Sequence, residues 1–367
     1  MKDTGFNRKI EKEIFRKAKH NVEELLTYAI SKLRATFSKK DHLKLLIFAS
    51  LFSAFAEGAS KSLRKTPSAD TLLKYIKSQT REKLLEAFES QLRENVSRLR
   101  RQRKLWKPVR VAIDWTNEMF YGDHEKTPMI NGTKQKNGSS YAFQFLTVCI
   151  LADGERLVVG VLPLESRNEL PEHTLRALEK VRELGVKIRN VTIDAGFFSV
   201  EMISYLQKEF ERSKLKYIIR MPINRKAKRM RLWGGRRFMY RMEDKSQISS
   251  LTPQYVSFEV VVSYDRQKDF TYLFATNLQY KSETILQMYR DRWGQETGYR
   301  MYDEFLIRTT SRNYVVRLFY FLFACLMYNT WVLYNATQKQ RDEEKIIVMQ
   351  MKTLLLIAIV LDILEAT

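Results

Sequence analysis

The chain has 367 residues, 44% hydrophobic, with 64 Lys and Arg against 42 Asp and Glu, for a net charge of +22. That length and apolar content exclude a chain too small to bury a core and leave room for two or three domains. The charge surplus points to a polyanionic partner, nucleic acid ahead of an acidic membrane surface. It is uneven: residues 1–110 hold 27 Lys and Arg and 12 Asp and Glu, so 15 of the 22 surplus charges fall in the first third. Cys149 and Cys325 both sit in apolar runs, which reads as two buried free thiols in a reducing compartment. The four histidines (His20, His42, His124, His173) are scattered, and no Cys/His spacing of the metal-binding kind occurs. The N-terminal "MKDTGFNRKIEKE" is charged and lacks the apolar core of a secretory signal. The expected location is therefore cytoplasmic.

Residues 1–105 read as an all-helical, basic, DNA-binding region. "HLKLLIFASLFSAFAEG" (42–58) reads as an apolar helix ended by Gly58. "SLRKTPSADTLLKYIKS" (62–78) reads as a turn at Pro67 and Ser68, then a short helix. Leu72, Leu73 and Ile76 form its inner face, and Lys74 and Lys77 lie opposite. Helix, short break and capped basic helix make the outline of a helix-turn-helix, an outline that any small helical bundle shares. On that outline and on charge, Lys74 and Lys77 are candidate DNA contacts.

"RLRRQRKLWKP" (98–108) is a basic linker, and the pattern then changes period. "VRVAID" (109–114), "YAFQFLTVCIL" (141–151) and "RLVVGVLPL" (156–164) are β-rich runs, the last two joined by an Asp-Gly turn. A helix is expected over about 172–184, stopped by Gly185. A strand ending at Asp194, a helix from about 200 to 211 and a strand over 216–221 follow. The order β-β-β-α-β-α-β is mixed α/β and is that of a ribonuclease-H-like core. Residues 222–280 read as a β-rich insertion that opens with the basic "NRKAKRMRLWGGRRF". There Arg229, Arg231, Arg236 and Arg237, with Lys226 and Lys228, crowd around Trp233; a DNA-contacting surface with an aromatic for an unpaired base is one reading. Packing of Trp233 into a small local core is the other. A long helix over about 282–307 and two apolar helices close the chain. The expected domains are 1–105, 106–335 with the insertion inside it, and a helical segment over 336–367. The run 318–334 contains Asn329 and Thr330 and the run 353–361 is short, so neither is expected to span a membrane.

Two strand-end acids stand out: Asp114 in "VAIDWTN" and Asp194 in "VTIDAGF". Asp194 is a possible helix cap, but Ser199 stands just before the next helix and can take that role. In the core order above, the strands bearing the two acids are neighbours. Adjacent carboxylates repel unless a divalent cation neutralises them, and hard oxygen ligands suit Mg²⁺ or Mn²⁺. A third acid would complete a two-metal site for in-line phosphoryl transfer. The candidate is Glu296 in "MYRDRWGQETGYRMYDEF", where Tyr289, Arg292 and Glu296 share one helix face. A solvated face with an Arg–Glu pair is the plain alternative. Asp123 and His124 in "MFYGDHEK" compete with Asp114, but Asp123 follows a glycine and reads as a turn residue.

Tyr289-x2-Arg292-x3-Glu296, "DAGF" and "IDWT" together resemble the DDE transposases of bacterial and archaeal insertion sequences, in the branch with a Tyr-x2-Arg-x3-Glu-x6-Lys signature. The resemblance covers residues 109 to about 335. It implies a ribonuclease-H-like catalytic domain in which Asp114, Asp194 and Glu296 bind two Mg²⁺ or Mn²⁺ ions. It further implies cleavage of the element's ends, strand transfer into target DNA, and DNA-backbone contacts from Tyr289 and Arg292. The implied partners are double-stranded DNA (terminal inverted repeats and target) and a second copy of the chain on DNA. One departure stands out: Asp303 occupies the position of the signature Lys. Arg300 or Arg308 is a candidate substitute, and a decayed copy acting as a DNA-binding protein or repressor is the alternative function.

Overall fold

The computed structural model describes residues 8–26, 37–152, 155–233, 237–244, 255–340 and 344–364. The chain divides into two compact units: residues 104–119 with 130–297, and residues 1–103 with 120–129 and 298–367.

The first unit is built on one mixed sheet. Its strands are β1 (Val109–Phe120), β2 (Asn131–Lys136), β3 (Ser139–Ala152), β4 (Glu155–Leu164), β5 (Ile188–Ile193), β6 (Lys216–Arg220), β7 (Arg237–Glu243), β8 (Tyr255–Asp265) and β9 (Phe270–Thr276). They lie in the order β2-β3-β1-β5-β6-β9-β8-β7, with β4 also paired to β3. β1, β5 and β6 are parallel neighbours, and β3 and β4 form an antiparallel hairpin. Parallel strands in the middle of a sheet are covered on both faces, which is why Val111, Ile113, Val191, Ile193, Ile218 and Ile219 are all apolar and fully buried. Helices Leu170–Glu183 and Val200–Ser213 supply the crossovers to β5 and β6. Gly185, at φ +74°, takes the left-handed turn just beyond the first of these helices.

Two features extend the expected core. β2 adds a strand, so four strands rather than three precede the first crossover helix. Its hairpin to β3 turns on Asn137 and Gly138, at φ +51° and +83°, the pair of left-handed residues that a tight hairpin requires. The β-rich run after residue 222 does not make a separate sheet: β9 pairs antiparallel with the exposed edge of β6, and β8 and β7 continue outward. The basic stretch that opens this run is helical over Arg225–Met230, capped by Asn224, whose side chain accepts from the Ala227 amide at 2.8 Å.

The second unit is helical: Arg8–Val22, Lys39–Leu51, Ala56–Ser62, Ala69–Lys77, Arg81–Arg101, Tyr314–Gln340 and Val348–Leu364. The expected helix over 42–58 is two helices. The first ends at Phe52, Ser53 turns left-handed at φ +44°, and Gly58 lies inside the second instead of stopping the first. Ser68 caps Ala69–Lys77, with Leu72 and Ile76 buried and Lys74 and Lys77 exposed. Tyr314–Gln338 is long and apolar enough to cross a membrane. Its side chains are nevertheless almost all buried within this unit, and its polar groups are met there: Thr330 Oγ1 accepts from Asn21 at 2.9 Å, and Asn335 bonds the Ile346 backbone. A core helix explains that composition.

Candidate active site

β1 and β5 run parallel with Ile113 opposite Ile193. The next residue on each strand is therefore an acid beside an acid, Asp114 and Asp194. Beyond Asp194 the chain makes a single 3₁₀ turn (Ala195–Phe197), and Asp194 makes no side-chain capping bond to it. Ser199 caps the following helix, accepting from the Met202 amide at 3.0 Å. Asp194 is thereby left to face other groups. Gly196 is required by close packing: a Cβ there would lie 2.9 Å from Cη2 of Trp115. The Trp115 ring also packs, tilted, against Phe197 at 5.1 Å between centroids, so the segments after both acids brace each other.

Helix Ser282–Asp303 brings Tyr289 and Arg292 to the acid pair. Tyr289 is fully buried against Phe274 and Tyr272, in a cluster with Ile285 and Ile218. Its hydroxyl donates to Asp194 Oδ1 at 2.8 Å. The Arg292 side chain is 1% exposed and forks between the acids. Nη1 donates to Asp114 Oδ2 at 2.7 Å, and Nη2 reaches Asp194 Oδ1 at 3.3 Å and the Tyr289 hydroxyl at 3.1 Å. The other Asp114 oxygen accepts the Trp115 amide at 2.9 Å. Arg220, at the end of β6, stands 3.3 Å from Asp194 Oδ1 through Nε.

The two acids titrate apart. Burial pushes Asp114 up to about 6, against the pull of Arg292 and with help from the charge on Asp194. Burial also works to raise Asp194, but Arg292 and Arg220, with the Tyr289 hydroxyl, outweigh it and hold Asp194 below the usual carboxylate range. Arg292 is buried, yet its phenol and carboxylate neighbours keep it firmly protonated.

A cleft of about 1200 Å³ opens at Asp194. Trp115 and Phe197 line its floor, Lys134 and Lys136 of the β2–β3 hairpin one part of its wall, and Arg220 and Arg231 another. The donor set suits a divalent cation: two hard carboxylates at the ends of neighbouring strands, one of them made basic by burial and by its neighbour. Among the described residues no group of three potential ligands forms. Glu296 lies four residues beyond Arg292 on the same helix, and its side chain is outside the described residues, as is that of Arg300.

The remaining expected DNA contacts divide. Lys74, Lys77 and Arg229 are exposed. The Arg231 guanidinium lies 4.0 Å over the Phe270 ring. Arg237 is engaged internally, with Glu259 at 2.8 Å and the Leu278 carbonyl at 2.9 Å. Arg236 and the Trp233 side chain fall outside the described residues. Asp123 sits in a turn, accepting the Glu125 amide at 3.2 Å and facing Lys126. Arg220 was not anticipated from sequence; its only signal was a lone Arg ending an apolar run, "KYIIR".

The family described as Transposase DDE domain matches residues 80–330. No curated protein matches the sequence. Among solved structures, a piggyBac transposase synaptic complex with hairpin DNA aligns over 99% of this chain and 82% of its own, at 14% identity and a TM-score of 0.58. That is a likeness of fold. An Argonaute of Marinitoga piezophila, in complex with guide RNA and target DNA, aligns over 51% of this chain and 26% of its own, at 10% identity and a TM-score of 0.22.

Proposed function

We propose, on the premise that this chain belongs to the transposase DDE domain family, that Asp114, Asp194 and Glu296 are the acids through which it cuts and joins DNA. The chain is a DNA transposase, an enzyme that depends on a divalent metal and acts on DNA. The observation that carries the residue assignment is the side-by-side placement of Asp114 and Asp194, with Tyr289 and Arg292 of the signature helix bonded to them.

In this reading the three carboxylates hold two ions, Mg²⁺ or Mn²⁺. When bound, such ions activate a water or hydroxyl nucleophile and offset charge building on the phosphodiester. The chain's own groups orient the reactants. Asp114 must be ionised to serve, and the Trp115 amide fixes its plane by holding one oxygen. Arg292, Arg220 and Tyr289 present guanidinium and phenol donors beside Asp194, suited to non-bridging phosphate oxygens. At the element's end the P–O3′ bond breaks as water adds to phosphorus, leaving a 3′-hydroxyl. That hydroxyl then attacks a target phosphodiester in line, its oxygen bonding to phosphorus as the target's own P–O3′ bond breaks and the proton passes to the departing 3′-oxygen. The DNA strand runs through the cleft between Lys134 and Lys136 on one wall and Arg220 and Arg231 on another. Lys74 and Lys77 of the helical unit bind the terminal inverted repeats, and two copies of the chain pair the two ends. The work is done at the nucleoid.

The test is a duplex carrying the DNA that flanks this gene, incubated with the protein in Mg²⁺ or Mn²⁺ beside Asp194→Asn and Glu296→Gln. Cleavage at a defined end by the parent alone is the expected result. Binding without cleavage in either metal would favour the non-catalytic repressor. Equal cleavage by all three proteins would sink the assignment of the acids.

A further inference from the structure

We infer that Arg292 is a displaceable counter-ion: it occupies Oδ2 of Asp114 and Oδ1 of Asp194 in the DNA-free protein, and a DNA phosphate draws it off as the metal loads. The inference rests on the reading of these acids as metal holders. It adds that metal and DNA bind cooperatively because one guanidinium must change partners.

The geometry carries the argument. Asp114 has one oxygen committed to the Trp115 amide; the other, Oδ2, accepts Arg292 Nη1 at 2.7 Å. Oδ2 is thus the Asp114 oxygen left for a cation, and Arg292 holds it. On Asp194, Oδ1 is crowded by Tyr289, Arg292 and Arg220 together, at 2.8, 3.3 and 3.3 Å. The seat of Arg292 is nonetheless incomplete. Its Nε is buried with no acceptor, a loss that a buried donor feels strongly. A phosphate offers a planar fork more acceptors than this seat does. The guanidinium thus keeps the paired acids neutralised without satisfying itself. By linkage, whatever factor a bound phosphate adds to metal affinity, metal adds to phosphate affinity.

The test is a titration of the full-length, DNA-free protein with Mn²⁺, following the free ion by electron paramagnetic resonance. Arg292→Gln is expected to bind Mn²⁺ about tenfold more tightly than the parent, or ~1.4 kcal/mol. Arg110→Gln removes the same charge from β1, where Arg110 pairs with Asp291 away from the acids. It is expected to stay within about twofold of the parent, since Arg110 is half-buried and its charge is already paired with Asp291. Tyr289→Phe removes one partner of the Arg292 seat and is expected to tighten Mn²⁺ binding by a smaller factor. It decides the question if Arg292→Gln does not melt cooperatively. Unchanged or weaker binding in whichever of these two variants folds overturns the inference, as does equal tightening by Arg110→Gln. Asp114→Asn separates the two levels. If it abolishes Mn²⁺ binding while the arginine variant changes nothing, only the counter-ion is wrong. If Asp114→Asn binds Mn²⁺ like the parent, the reading of the acids falls and the inference with it.

Discussion

Arg290 and Arg292 stand two residues apart on one helix, and each holds carboxylate on the sheet unit, yet the two arrangements are opposites. Arg290 pairs with Asp265, at the end of β8, through both Nε and Nη2. Asp265 also accepts the amides of Gln267 and Lys268, at 3.0 and 3.2 Å, and its side chain is 1% exposed. Burial works to raise Asp265, but Arg290 and those amides hold it below its ordinary range. That acid has fixed partners and one task, tying the helix to the sheet. Asp114 and Asp194 instead share the Arg292 guanidinium, Asp194 has Arg220 and Tyr289 besides, and Asp114 is pushed up to about 6. An ion pair built for structure satisfies its acid; of the paired acids Asp114 is left under-satisfied, and that deficit marks the site.

The sharpest way to break the comparison is to neutralise each acid. Asp114→Asn or Asp194→Asn should lower cleavage of an end-bearing duplex by about 10³-fold, the scale seen when one preorganised electrostatic group is lost. Melting of the metal-free protein should remain cooperative. Asp265→Asn should do the reverse. It should cost about 1.5–3 kcal/mol of stability in urea unfolding, the range for hydrogen bonds to a charged group, with little change in turnover once folded. A catalytic loss in Asp265→Asn as large as in Asp194→Asn would erase the distinction.

Acidity sharpens it further. Asp114 must be ionised to take up a cation, so with metal kept below saturation cleavage should fall about tenfold per unit as pH drops below about 6, the value to which burial lifts the metal-free acid. In the metal-free protein the same group contributes stability below its unfolded pKa of roughly 4, and that contribution is lost as pH rises toward about 6. Asp194 and Asp265, both depressed, contribute above their unfolded values and lose it as pH falls through their folded ones. A cleavage profile flat from pH 7 to 5 at such metal levels would contradict the assignment of Asp114. The smallest effect expected is at Ser199. Ser199→Ala should cost about 1 kcal/mol as a lost helix cap, measured by thermal melting, and leave the midpoint of the cleavage profile near pH 6 unmoved. A shifted midpoint would mean that the cap and the acid are coupled.

Much of the site was legible before folding because it sits where the period of the chain changes. Asp114 and Asp194 each follow an apolar β-run, and neighbouring parallel strands set such ends side by side. The i, i+3 spacing of Tyr289 and Arg292 put them on one helix face. What they face was not legible. The expectation was a phenol and a guanidinium for DNA; in the DNA-free chain both are buried on the acids, which depends on how the helix lies on the sheet. Arg220 was missed for the same reason, since no local pattern separates a strand-end Arg that reaches an acid from one in solvent. β2 was missed because its "NGTKQK" is polar and largely exposed, although the Asn-Gly turn after it was a readable signal. Gly58 misled because glycine is also tolerated inside a short helix, while the real break lay at the left-handed Ser53.

The amino-acid order by itself determined the local elements, the acids and the Tyr-x2-Arg-x3-Glu spacing, because helix and strand periods and strand-end positions are properties of neighbours in the chain. The tertiary structure alone decided that Arg292 and Tyr289 spend the DNA-free state on Asp114 and Asp194, that Arg237 is engaged by Glu259, and that the run after residue 222 extends the central sheet. Those are meetings of groups 22 to 178 residues apart. Charge pairing and burial in a low-dielectric interior choose among partners that sequence distance does not rank.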